Sequence, residues 1–330
     1  MGAMGLRLSV LLLMALANAA AAQDCAPRLL ATLRMQDAEP DSNIRTVPVN
    51  LNGTTRQMVL DTGGAVTQLS RDTIDELKLP TRPSGAAVYD LNGRVSHRFA
   101  MVKDLTFGDL HRSDAALMVW PEPTRPYAGE LAQDLLQPYD VDVDFATGLL
   151  KLFAKSANGQ CTGPTGWTPT TRTDMHNKGW HLHIPVTLDG HTYDAIFDTG
   201  SRHTIMRLPT ASRDFGLHPN SAGMEPYPAI NGSPILDGSL HKFGKLTFGN
   251  ITMDNPEVLI VPDVMNHNAD RSPMARNRAY FHNSDLILPE LSLGMDVLKH
   301  FHLFLAFGEQ ALYLAPGDAA AGTPRTTMKP

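Results

Sequence analysis

Two short stretches of this chain could do chemistry. Asp61-Thr62-Gly63 follows the apolar run Met58-Val59-Leu60, and Asp198-Thr199-Gly200 follows Ala195-Ile196-Phe197. An Asp at the end of an apolar strand loses water and needs a compensating partner. Facing triplets would supply one to each other. Two carboxyls a few ångströms apart cannot both ionise easily, so they share one proton. The ionised member takes a proton from a bound water, and the protonated member donates to a carbonyl oxygen. That is general acid-base hydrolysis. Thr62 and Thr199 would bond across the interface, and Gly63 and Gly200 would let backbone amides approach the carboxylates. The bland alternative is a pair of tight turns in which Asp bonds nearby amides.

The elements around the triplets repeat. "VPVNLNGTTRQMVLDTG" (Val47 to Gly63) aligns without a gap on "IPVTLDGHTYDAIFDTG" (Ile184 to Gly200). Each reads as a strand, an Asn-Gly or Asp-Gly turn, and a second strand. Asn92-Gly93 matches Asn231-Gly232, "LTFGD" (Leu105 to Asp109) matches "LTFGN" (Leu246 to Asn250), and Asp134 to Leu152 matches Asp296 to Leu314. After each triplet comes a short helical candidate. Ser70 is a cap for the first, with Ile74 and Leu77 on one face. The second is "LPTASRDFGL". Scattered Pro (24) and Gly (26) favour turns between short strands over long helices. The fold class is all-β, built as a duplicated domain.

The predicted organisation is a signal peptide over 1–22, a first repeat over 23–153, a linker over 154–181, a second repeat over 182–316 and a tail over 317–330. Arg7, the apolar stretch Leu8 to Leu16 and Ala20-Ala21-Ala22 have the three-part layout of a secretory signal. The chain is therefore expected to be exported, periplasmic or secreted. No second long apolar run exists, so no membrane span is expected in the mature chain. Cys25 and Cys161 are a disulfide candidate in an exported protein; two unpaired thiols are the alternative. A net charge of −6 without a basic run gives no reason to expect nucleic acid.

The two triplets and their frame resemble the retropepsin-like aspartic proteases, particularly exported bacterial ones. "DTGGAVTQLS" and "DTGSRHTIM" look like that family's active-site loop, and "LSLGMDVL" (Leu291 to Leu298) like its apolar-apolar-Gly segment. The resemblance covers almost the whole mature chain. It implies two β-barrel domains in tandem that form a pseudo-two-fold pair within one chain. It implies an aspartic endopeptidase acting on a peptide or protein substrate. Asp61 and Asp198 would be catalytic, with Thr62, Gly63, Thr199, Gly200 and Ser201 as loop support. Asn92, Gly93, Asn231 and Gly232 would lie in flaps over the peptide. No cofactor is implied.

Two positions depart from the pattern. Gly64 stands where the family often has Ser, Thr or Ala, which removes a hydroxyl bond to the outer carboxylate oxygen; Ser201 is expected to supply it in the other loop. "GELAQDLL" (Gly129 to Leu136) puts Glu130 at an apolar position and Ala132 in place of Gly. A polar insertion over 262–290 has no counterpart in the first repeat and reads as a lid or a surface loop. These departures keep two other readings open, a peptide-binding protein without turnover and a structural pairing module. Thirteen histidines include His181-x-His183 and His300-x-His302, but no clustered metal spacing occurs, so no metal is expected.

Overall fold

The computed structural model describes residues 27–40, 42–89, 95–120, 127–155, 163–178, 181–227, 238–262, 289–317 and 326–328. The signal segment, both cysteines and the four Asn-Gly flap residues lie outside them. So does nearly all of the 262–290 insertion.

Each half begins with the predicted hairpin. Arg45–Leu51 turns into Thr54–Leu60, and His181–Leu188 turns into His191–Phe197. Both residues of each turn hold positive φ: Asn52 at 52° and Gly53 at 89°, Asp189 at 44° and Gly190 at 89°. That geometry matches the right-handed twist of the strands, which is why Asn-Gly and Asp-Gly occur there.

In the first half the sheet runs Arg45–Leu51, Thr54–Leu60, Gly129–Leu131, Gln68–Leu69, Leu110–Val119, Val95–Phe107. Val95–Phe107 then pairs back on Arg45–Leu51, closing a six-stranded barrel. The second half follows the same path through His181–Leu188, His191–Phe197, Leu291–Leu293, Ile205–Arg207, Glu257–Val261 and Gly238–Lys242. Here Lys245–Phe248 makes the return pairing to His181–Leu188. One 13-residue strand spans both pairings in the first half; the second half divides it at Phe243-Gly244.

A separate six-stranded sheet joins the halves. Its order is Leu29–Arg34, Leu149–Ala154, Tyr139–Asp144, Phe301–Ala306, Ala311–Pro316, Thr171–Asp174. The seam pairs Val141 with Leu305 and Asp144 with His302. Asp142 is buried beside it, and its charge is compensated on both oxygens. His302 Nε2 lies 2.9 Å from Oδ1, and Trp167 Nε1–H donates to Oδ2 at 2.8 Å. A buried carboxylate without such partners would be strongly destabilising.

Thr171–Asp174 falls inside the stretch read as a linker. It occupies the place that Leu29–Arg34 holds in the first half. The residues that follow match as well: Met35 N–H donates to Gly148 O at 2.8 Å, and Met175 N–H to Gln310 O at 2.9 Å. The duplication therefore starts earlier than the sequence alignment reached. The second copy's outer strand is short, polar and set in Thr/Pro/Gly-rich sequence, and it buries only Thr171 and Thr173. Periodicity could not flag it. Likewise, Thr326–Met328 in the expected tail pairs with Ile251–Asp254.

The helices are short and lie where the sequence places them. Ser70 Oγ accepts from Thr73 N–H at 3.2 Å and caps Arg71–Glu76, which buries Ile74. Leu208–Phe215 carries Pro near its start and ends at Gly216, which takes the left-handed conformation. One hydrophobic core runs through both halves and includes Val47, Leu60, Leu131, Ile184, Phe197 and Leu293.

Candidate active site

Apolar packing delivers each aspartate to the midline. Met58, Val59 and Leu60 are essentially fully buried, as are Ala195 and Phe197. Burying the larger of these, Met58, Val59, Leu60 and Phe197, contributes about 1.5–3 kcal/mol each. The strand that ends at Asp61 lies parallel to Gly129–Leu131, and the one that ends at Asp198 lies parallel to Leu291–Leu293. Asp61 N–H donates to Leu131 O and Asp198 N–H to Leu293 O, both at 3.0 Å. The two aspartate backbones are thus fixed in the same way.

The threonines lock the halves together. Thr62 Oγ1 donates to Phe197 O at 2.8 Å and accepts from Thr199 N–H at 3.0 Å. Thr199 Oγ1 donates to Leu60 O at 2.6 Å and accepts from Thr62 N–H at 3.1 Å. Both side chains are buried, so these four bonds are shielded from water.

The glycines allow the contact. A Cβ on Gly63 would fall on the Asp198 carboxyl, and a Cβ on Gly200 would fall on the Asp61 carboxyl. Each loop therefore rests against the opposite aspartate. Gly63 N–H and Gly64 N–H both donate to Asp61 Oδ1, at 2.9 and 2.8 Å. Gly200 N–H donates to Asp198 Oδ1 at 2.9 Å, and Ser201 N–H also bonds that carboxyl. The two carboxyls thus face each other across the axis, close enough for the charge of Asp61 to act on Asp198.

Burial raises both carboxyls above the usual range. Asp198 is pushed well above it, first by burial and then by the charge of Asp61. For Asp61, burial is opposed by the Gly64 and Gly63 amides, by the Asp198 side chain and by the charge of His181. The two carboxyls therefore titrate as a coupled pair, both held above the ordinary carboxylate range by burial.

A second layer fixes the loops from behind. Thr67 donates to Asp134 Oδ1 through N–H at 2.8 Å and Oγ1 at 2.6 Å, and its Oγ1 accepts from Ala132 N–H at 3.1 Å. Thr204 makes the same set with Asp296 and Gly294. Burial raises the carboxyl of Asp134 and pushes that of Asp296 up to about 6. Nothing in the triplets points to this layer. The signal was the repeat itself, which aligns Thr67 with Thr204 and Asp134 with Asp296.

The expectation for Ser201 is corrected. Its hydroxyl donates to His203 O at 2.8 Å and so spends its single proton away from Asp198. Ser292 Oγ instead reaches Asp198 Oδ2, at 3.5 Å, from the strand beneath. Gly64 also has a steric reason: a Cβ there would collide with Asp61 Oδ2 and crowd Ala132. His181, considered above only for metal binding, lies 2.6 Å from Gly63 O through Nδ1. His183 Nδ1 turns to the Asp194 carbonyl. Among the described residues no group of three His, Cys, Asp or Glu is placed to hold a metal ion.

Residues 47–136 and 184–297 match the family model described as aspartyl protease. Each matched segment contains one of the interlocked loops. No curated protein matches the chain. Among solved structures, the aspartic proteinase from Irpex lacteus is similar over 89% of this chain and 99% of its own, with 12% identity and a TM-score of 0.47. Two segments of one family model, covering more than half of the sequence in tandem, show that the chain belongs to the aspartyl protease family.

Proposed function

We propose that the protein is an aspartic endopeptidase that hydrolyses peptide bonds with Asp61 and Asp198. The observation that carries this reading is the reciprocal contact of the two loops, in which each loop's glycine lies against the opposite carboxyl. In the active form Asp61 is ionised and removes a proton from the attacking water. Asp198 is protonated and donates to the substrate carbonyl oxygen as the tetrahedral intermediate forms. The proton that Asp61 took from water then passes to the leaving amine, the C–N bond breaks, and the hydroxyl formed on the carbonyl oxygen returns its proton to Asp198. Sharing one proton between such carboxyls is the known behaviour of aspartic protease dyads.

The substrate is a peptide or protein strand, and the pair of halves in one chain replaces a dimer of separate subunits. Export is part of the same proposal and rests on the 1–22 pattern. A Cys25–Cys161 bridge would suit that compartment.

The deciding experiment compares the parent with Asp198→Asn on a mixed peptide library between acidic and neutral pH. Cleavage by the parent and its loss in the variant support the reading. An inert parent, or equal cleavage by both, overturns it.

A further inference from the structure

The strand residue that lies behind each loop differs between the halves. His181 opens the first barrel strand of the second half, and the repeat places Ile44 at the matching point of the first half. Ile44 is buried and has no side-chain donor. His181 Nδ1 lies 2.6 Å from the carbonyl oxygen of Gly63. A carbonyl can only accept, so Nδ1 carries the proton. That carbonyl belongs to the same peptide unit as Gly64 N–H, which donates to Asp61 Oδ1 at 2.8 Å. The imidazole N–H, the peptide plane and the carboxylate therefore form one chain of hydrogen bonds crossing between the halves. Such chains polarise each member and strengthen every bond.

We propose that His181 is the positioning residue of the first loop. It holds the Gly63–Gly64 peptide so that Gly64 N–H points at Asp61, and so selects Asp61 as the ionised member and general base. On the Asp198 side the matching residue, Ile44, is aliphatic and cannot donate to the corresponding Gly200 carbonyl. When charged, the imidazole also favours the Asp61 anion directly. The other charged neighbours are Asp198, which feels the charge of Asp61, and Lys178, which faces His181 in the strand pairing and is held by Asp194 at 3.2 Å. A symmetric dyad has no fixed base; one imidazole on one side is enough to set the roles.

This inference rests on the dyad reading for its catalytic meaning, but its test does not. The carboxyls are labelled with carbon-13 aspartate and titrated by NMR in the parent, His181→Leu and His181→Gln, with Asp61→Asn to assign the signal. Leu removes donor and charge; Gln keeps an N–H donor. In His181→Leu the Asp61 titration is expected to move up by about half a pH unit or more. In the same variant kcat on a cleaved peptide falls severalfold with KM little changed, and His181→Gln recovers part of both effects. An Asp61 titration identical in parent and His181→Leu overturns the proposal. So does a lowered melting temperature with titration and kcat unmoved, because that marks a structural role. Should the parent cleave no peptide, the endopeptidase reading fails while the titration still decides the role of His181.

Discussion

The first and second loops share a backbone plan but differ in how each holds its carboxylate. Around Asp61 the donors are two glycine amides, with an imidazole behind one of them. Around Asp198 they are the amides of Gly200 and Ser201, with the Ser292 hydroxyl at 3.5 Å. Thr62 and Thr199, by contrast, make the same bonds in both directions. Parts that must mate across the axis stay alike, because each is the other's partner. Parts that face only their own aspartate are free to diverge. Duplication within one chain makes this possible: a dimer of identical subunits cannot place His on one side and Ile on the other.

The comparison breaks most visibly at the dyad. Asp61→Asn and Asp198→Asn are each expected to lower kcat/KM roughly a thousandfold, since each removes one partner of the acid-base pair. A much milder effect in one of them, in peptide assays, would show that the two carboxyls do not act together.

The fourth residue of each loop separates the halves next. Gly64→Ser forces a Cβ into Asp61 Oδ2 and is expected to cost about 3 kcal/mol of stability together with most of the activity. Ser201→Gly removes only the bond to His203 O and costs about 1 kcal/mol. Denaturant titration with parallel peptide assays distinguishes them. Equal costs would mean that the first loop has room to relax.

The threonine lock gives the symmetric control. Thr62→Val and Thr199→Val each leave a buried N–H and a carbonyl without partners, and each is expected to cost about 2 kcal/mol. Because they share one network, the double variant should cost less than the sum.

The smallest expected effect concerns pH. The folded state holds the Asp296 carboxyl up at about 6, above its unfolded value near 4. The stability tied to its protonated form is full below pH 4 and is lost as pH rises through 6. Asp296→Asn should remove that decline, seen as a flatter melting temperature between pH 4 and 7, by an amount on the order of 1 kcal/mol. Asp134→Asn should act in the same direction.

Much of this was legible in the residues. Period-two apolar runs and Asn-Gly or Asp-Gly turns carry a local signal, so the hairpins and the strands leading to Asp61 and Asp198 were visible. The Ser70 cap was visible for the same reason. The outer strand Thr171–Asp174 was not, because its stability comes from pairing with Ala311–Pro316 and not from its own pattern. Ser201 misled because a hydroxyl's direction depends on the nearest free carbonyl, here His203 O. His181 was weighed in the sequence only as half of a His-x-His pair, without the spacing of a metal site. Its actual neighbour, Gly63, is far away in sequence and arrives only when the halves close.

By itself the sequence determined that a domain is duplicated and that each copy ends an apolar strand in Asp-Thr-Gly. Those facts follow from local preferences and from comparison of the chain with itself. Tertiary structure decided which donors each carboxylate receives, which hydroxyls turn away and that His181 braces the first loop. These contacts join residues from opposite halves, and no local pattern encodes a distance that folding alone makes short.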